Sequence, residues 1–97
     1  MVNHIVMFRL EGDAVAVARA ALGFKEAIEA LVFTIPFLVE ASVGINSNPA
    51  EKWTLALTSK VESWEALAAY ATHPDHLKAV AVIKPLIAER ACVDFES

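Results

Sequence analysis

The order in which hydrophobic periodicities follow one another along the chain is the feature that most constrains its fold. Four segments rich in β-branched, aromatic or alternating apolar residues predict strands. They are Val2 to Leu10, Phe37 to Ile45, Lys52 to Val61 and Ala91 to Phe95. Between the first two, apolar residues recur at three- and four-residue spacing, which predicts a helix from Ala14 to about Phe33. The chain therefore begins as strand, helix, strand, strand.

The segment after the third predicted strand contains a helix that is interrupted by a proline. Ser63 is a good N-cap for its start. Pro74 disfavours helical geometry at the preceding His73, and it suits the first turn of a new helix. We therefore predict that one helix ends at Thr72 or His73 and that the next runs from Pro74 to Ile87, with a kink or an end at Pro85.

The complete order is strand, helix, strand, strand, helix, strand, if the two halves around Pro74 count as one helical segment. This order is the split βαβ, or ferredoxin-like, arrangement of the α+β class. It predicts a four-stranded antiparallel sheet with the helices on one face. A length of 97 residues fits one domain, spanning residues 1–97.

The composition predicts a partner for the uncovered face of this sheet. Hydrophobic residues make up 57% of the chain, with a mean hydropathy of +0.49. A domain of this size buries only about 60–65% of its unfolded surface, so this is more apolar material than one small core hides. We expect a symmetric homodimer formed through the sheet faces, which would enclose a space between them.

Charge and apolar run length exclude several classes of partner. The net charge is −4 and no basic patch occurs, which argues against nucleic acid and anionic membrane surfaces. The longest strongly apolar run, Ala30 to Val39, is too short to cross a bilayer. A single cysteine, Cys92, and the lack of a signal-peptide pattern predict a soluble, cytoplasmic protein. No glycine-rich phosphate loop is present, and we expect no cofactor.

Candidate chemistry is concentrated between Tyr70 and His76, a segment that reads Tyr-Ala-Thr-His-Pro-Asp-His. Neutral His76 is a suitable general base, and the Tyr70 phenol is a suitable hydrogen-bond donor to a developing oxyanion. The alternative is a structural clamp, in which the two side chains hold the helix break or each other. The spacing is compatible with both interpretations.

Three further residues are candidates for contact with a ligand: His4 at the start of the first strand, His73 at the helix break, and Trp53. His4 is equally compatible with a satisfied core histidine. His73 and His76 supply only two imidazoles where zinc takes three or four ligands, so we predict no metal site. Cys92 lies in a predicted strand without a neighbouring motif, and we expect a buried small hydrophobe there.

Several segments together resemble the stress-responsive A/B barrel (Dabb) family, and they cover essentially the whole chain. The most specific is Tyr-x-x-His-Pro-x-His at residues 70–76; the others are His4 to Leu10, Val43 to Asn46, Ser63 to Leu67 and Val93 to Glu96. The resemblance implies a ferredoxin-like subunit that pairs through its sheet into a dimeric α/β barrel. It also implies that His76 and Tyr70 match the histidine and tyrosine used by a plant polyketide cyclase of the family.

These observations lead to one functional prediction and two alternatives. We predict a stress-responsive protein that binds a hydrophobic or aromatic small molecule in an apolar cavity near His76 and Tyr70. The first alternative is a cofactor-independent cyclase, isomerase or monooxygenase-like enzyme, with His76 as base and Tyr70 as oxyanion donor. The second is a structural protein whose cavity is filled. An enzyme requires His76 and Tyr70 to converge on an open cavity, whereas a binding protein requires only the cavity.

Overall fold

A computed structural model describes all 97 residues as a four-stranded antiparallel sheet with helices packed on one face. The elements are β1 (Val2–Leu10), α1 (Ala14–Ala30), β2 (Leu38–Ile45), β3 (Leu55–Val61), α2 (Trp64–Thr72), α3 (Pro74–Ala81) and β4 (Ile87–Glu96). Short 3-10 turns occupy Leu31–Phe33 and Lys84–Leu86. The strand order β2-β3-β1-β4 confirms the predicted ferredoxin-like topology.

The core lies between the helices and the inner face of the sheet. Asp13 caps α1 by accepting a hydrogen bond from the backbone N–H of Ala16, as its side-chain type predicts. From there the apolar stripe of α1 buries Phe24 and Ile28 completely. The Phe24 ring meets Phe8 of β1 edge to face, with centroids 5.9 Å apart. Each such fully buried side chain contributes about 1.5–3 kcal/mol of hydrophobic stabilisation.

Four predicted details of the elements are wrong. Strict alternation along the second predicted strand places Leu38 and Val43 on opposite faces, but a β-bulge between Leu38 and Glu40 puts both in the core. Strand β3 begins at Leu55, three residues later than predicted. Helix α3 ends at Ala81 instead of Ile87, although Pro85 limits it as predicted, because the proline ring would clash with the Ala81 carbonyl if the helix continued. Strand β4 starts at Ile87, since pairing along β1 outweighs the weak strand propensity of its first residues.

The outer face of the sheet has no cover within the chain. Its central residues are mainly apolar: Ile5, Met7, Ala56, Ala91, Val93 and Phe95 share this face by their pairing register. Val93 is 62% exposed and Phe95 is 47% exposed. Contiguous apolar surface of this kind marks an interaction site in soluble proteins. None of the helices combines the length and apolarity that a bilayer-spanning segment requires.

Candidate functional site

The proline break places the candidate residues at the junction of α2 and α3. His73 has an extended backbone conformation (φ −62°, ψ 134°), as expected for a residue before proline. Its Nδ1 accepts a hydrogen bond from the backbone N–H of Asp75 at 3.1 Å, so the imidazole serves as the N-cap of α3. Pro74 and Asp75 occupy the first turn. The structure therefore gives His73 a local structural contact.

His76 lies half-buried on the first turn of α3, with its ring against the Tyr70 ring. The ring centroids are 4.4 Å apart and the planes are tilted by 52°. Its Nδ1 lies 3.2 Å from the carbonyl oxygen of Ala71. A carbonyl only accepts, so Nδ1–H donates and Nε2 carries the lone pair. Burial lowers the pKa of His76, partly offset by the bond to Ala71, and this favours the neutral imidazole.

Tyr70 is fully buried beneath His76. Its hydroxyl lies 3.3 Å from Oγ of Ser59, the only buried polar residue of the chain. Burial raises the pKa of the phenol, and the contact with Ser59 opposes this in part. The ring also meets His4 nearly edge-on, with centroids 6.4 Å apart. Tyr70 is thus the central packing element of the site, and its hydroxyl already has a protein partner.

His4 faces Asp94 directly across the β1–β4 ladder. Its Nδ1 lies 2.5 Å from Oδ1 of Asp94, and the carboxylate requires that Nδ1 carry the donated proton. The His4 side chain is 12% exposed, so it is half-buried as its strand position predicts.

A cavity of about 360 Å³ connects these histidines. Twelve residues line it and eight are hydrophobic, including Phe8, Phe24 and Leu77. Its polar wall consists of His4, His76, Lys84 and Arg90. This volume falls within the range of small-molecule sites, and mostly apolar walls with a few polar groups are typical of them. Neither Tyr70 nor His73 is among the lining residues.

Trp53 lies elsewhere, in a second recess of about 350 Å³ on the outer side of the sheet. Met7, Gly44 and Ala56 contribute to its walls, and the amine of Lys52 lies 5.0 Å from the centre of the Trp53 ring. The structure therefore separates Trp53 from the histidines. The candidate residues divide into His4 and His76 at the inner cavity, Tyr70 and His73 beside it, and Trp53 on the other face.

The sequence interpretation missed four residues of this site: Ser59, Lys84, Arg90 and Asp94. Ser59 left a detectable signal, because it is the one polar residue among the inward positions of β3. Asp94 left none, since its pairing with His4 depends on a strand register across 90 residues of sequence. The expectation of a buried small hydrophobe at Cys92 holds in part: the residue packs against the core but is only half-buried, and its Sγ lies 3.7 Å from Nδ1 of His4.

Comparison with known proteins places the fold among dimeric ferredoxin-like proteins. A dimeric protein of unknown function from Bacteroides fragilis is 39% identical, with a TM-score of 0.96 over 99% of this chain and 95% of that one. A dimeric ferredoxin-like protein of unknown function from Thermobifida fusca is 26% identical, with a TM-score of 0.80 over 99% and 90%. Hydroxynitrile lyase from Passiflora edulis shares the fold at 18% identity, with a TM-score of 0.71 over 97% and 90%.

A search of curated protein sequences gives no match. The family profile of the stress responsive A/B barrel domain matches residues 2–97, which is nearly the whole chain. This match agrees with the segments around His4 and Tyr70 to His76 that indicated the resemblance. The chain therefore belongs to the stress responsive A/B barrel domain family.

Proposed function

We propose that this protein is a stress-responsive small-molecule-binding protein, and that its ligand occupies the inner cavity beside His76. The observation that carries the proposal is an open, mostly apolar cavity whose wall includes His76, while the nearby Tyr70 hydroxyl is engaged by Ser59. A binding protein requires the cavity without convergence of the two side chains. Lys84 and Arg90 in the wall favour a hydrophobic or aromatic ligand that carries an acidic group.

Fluorescence titration with anilinonaphthalene sulfonate, an aromatic anion of suitable chemistry, tests this proposal. Ala71 lines the cavity although it lies on the exposed side of α2, so Ala71→Phe narrows the cavity without disturbing the core. Ala68→Phe is the matched control, because Ala68 is exposed on the same helix and does not line the cavity. We expect Ala71→Phe to weaken dye binding about tenfold or more, which corresponds to about 1.4 kcal/mol. Equal affinity of the two variants would contradict the proposal.

The second candidate is a cofactor-independent enzyme in which His76 acts as a general base; for Tyr70 to act as oxyanion donor, its hydroxyl would have to leave Ser59 and reach the cavity. Its support is the neutral imidazole with Nε2 unprotonated on the cavity wall. Cyclisation, isomerisation and cofactor-free oxygenation all begin with removal of a substrate proton. Deuterium exchange at the acidic C–H of an aryl ketone, phenylacetone, measures this step by NMR.

We expect His76→Gln to abolish catalysed exchange if His76 is the base. His73→Asn is the control, because asparagine retains the N-cap that His73 supplies to α3. Exchange at the buffer rate in the unmodified protein would reject the enzyme interpretation and leave the binding interpretation intact. The dye titration is independent of this outcome.

The proposal includes a homodimer formed through the outer faces of the two sheets. It is supported by the apolar surface around Val93 and Phe95 and by the dimeric neighbours. Val93→Glu buries a charge in such an interface, so we expect light scattering to detect monomers at micromolar concentration. Val15→Glu is the control, since Val15 is 58% exposed on α1, away from the sheet. A dimer that survives Val93→Glu would place the interface elsewhere.

We also propose a cytoplasmic location. The single cysteine is the supporting observation, because the chain cannot form an internal disulfide and suits a reducing compartment. Fractionation of cells that express a tagged chain would test this, and recovery in an exported fraction would contradict it.

A further inference from the structure

Three side chains of different chemistry meet on the inner face of β1 and β4. His4 pairs directly with Asp94, and Cys92 lies two residues earlier on the same face of β4. Sγ of Cys92 is 3.7 Å from Nδ1 of His4 and 3.7 Å from Oδ2 of Asp94. The ligand atoms of the three residues all lie within 4.8 Å of one another. No other part of the chain brings three such groups together.

These separations are close to those of a tetrahedral zinc site. With zinc bonds of about 2.0 Å to nitrogen or oxygen and about 2.3 Å to sulfur, neighbouring sulfur and nitrogen ligands lie about 3.5 Å apart. The two sulfur separations already match this value within about 0.2 Å. Asp94 meets the other two residues with different oxygens, Oδ1 at 2.5 Å from Nδ1 of His4 and Oδ2 at 3.7 Å from Sγ of Cys92. Its side chain is 31% exposed and able to rotate, so that one oxygen moves to about 3.3 Å from Nδ1, the separation of two zinc ligands at about 2.0 Å.

We propose that His4, Cys92 and Asp94 form a binding site for zinc. Thiolate and imidazole ligands favour zinc over magnesium and calcium, which require oxygen ligands. Three protein ligands leave one coordination position free, the pattern of catalytic rather than structural zinc sites. The site lies on the helix side of the sheet, so a dimer formed through the outer faces leaves it accessible.

Zinc binding displaces protons from the ligand atoms of His4 and Cys92. Nδ1 of His4 becomes the ligand atom, so the proton that it donates to Asp94 has to leave this nitrogen. Cys92 loses its thiol proton to solvent. Burial and the neighbouring Asp94 carboxylate raise the pKa of the Cys92 thiol, and Arg90 opposes this in part. Zinc uptake therefore releases the thiol proton of Cys92.

Titration of the metal-free protein with cobalt(II), followed by visible absorption, tests the proposal directly because it needs no variant. We expect tetrahedral ligand-field bands with a thiolate-to-cobalt charge-transfer band at one cobalt per chain. Zinc competition against a chromophoric chelator then gives the affinity. Cobalt bound without the thiolate band, or no binding at one metal per chain, would overturn the proposal.

Substitutions assign the ligands. We expect Cys92→Ser to remove the charge-transfer band. Cys92→Ser and Asp94→Asn should each weaken zinc binding by at least about 100-fold, because substitution of residues that only support the ligands already lowers metal affinity 10- to 100-fold. His73→Asn is the matched control, because His73 also lies near a carboxylate, with Nδ1 at 4.0 Å from Oδ2 of Asp75. Equal losses in His73→Asn and Asp94→Asn would place the metal at the helix break and refute the proposed site.

Discussion

The hydrogen bond between Tyr70 and Ser59 allows a structural role of the tyrosine to be separated from a chemical one. Tyr70 is fully buried and Ser59 is 3% exposed, so neither hydroxyl has water as a substitute partner. Tyr70→Phe leaves the serine hydroxyl without its partner, and Ser59→Ala does the same to the phenol. The double variant replaces both groups with apolar surface of similar shape.

The expected magnitudes follow from this asymmetry. Leaving one buried hydroxyl unsatisfied costs about 1–3 kcal/mol, whereas removing both partners is nearly neutral. Each single variant should therefore be less stable by about 1–3 kcal/mol, and the double variant should lose less than the sum of the two. With a nearly neutral double variant, the coupling energy equals the sum of the two single losses, about 2–6 kcal/mol, well above the roughly 0.5 kcal/mol within which independent sites add.

Urea unfolding of the four proteins at one fixed protein concentration measures the cycle, because dimerisation makes the stability concentration-dependent. A loss of 2 kcal/mol shifts the midpoint by roughly 0.7–2 M for a typical small-protein m-value. Effects that add within about 0.5 kcal/mol would refute the reasoning that this contact is energetically coupled. If Tyr70→Phe binds anilinonaphthalene sulfonate with unchanged affinity, the Tyr70 hydroxyl makes no contact that contributes to ligand binding.

Two other predictions concern local electrostatics. Asp13→Ala should lower the free energy of unfolding by about 0.5–2 kcal/mol through loss of the α1 cap, whereas Asp13→Asn should be nearly neutral; equal urea midpoints for both would contradict the capping role. Burial lowers the pKa of His76 in the folded protein, so between this lowered pKa and the ordinary value of 6.5 the unfolded chain binds more protons than the folded one. The free energy of unfolding is therefore highest above pH 6.5, and it falls as the pH decreases toward the lowered pKa. His76→Gln should flatten that slope in urea midpoints measured across this range, and an unchanged slope would contradict the burial argument.

Local sequence signals predicted most of the elements because their causes act over a few residues. Ser63 and Asp13 cap the helices that follow them, and Pro74 divides the second helical segment as its fixed backbone geometry requires. The spacing of Tyr70 and His76 was compatible with a catalytic pair and with a structural clamp, and the structure packs the two rings against each other with centroids 4.4 Å apart. The errors lie at the β2 bulge and the start of β4, where pairing with a neighbouring strand overrides local preference.

The sequence alone determined the order of strands and helices, the helix caps and the proline break, and therefore the ferredoxin-like fold. Only the tertiary structure decided which chemical groups meet. His4 is brought to Asp94 and Cys92 by the register of β1 against β4, across 90 and 88 residues respectively. The tertiary structure also brings the Tyr70 hydroxyl within hydrogen-bonding distance of Ser59 and places His76 on the cavity wall. Capping and periodicity act between near neighbours in the chain, whereas strand register is a property of the whole packed sheet.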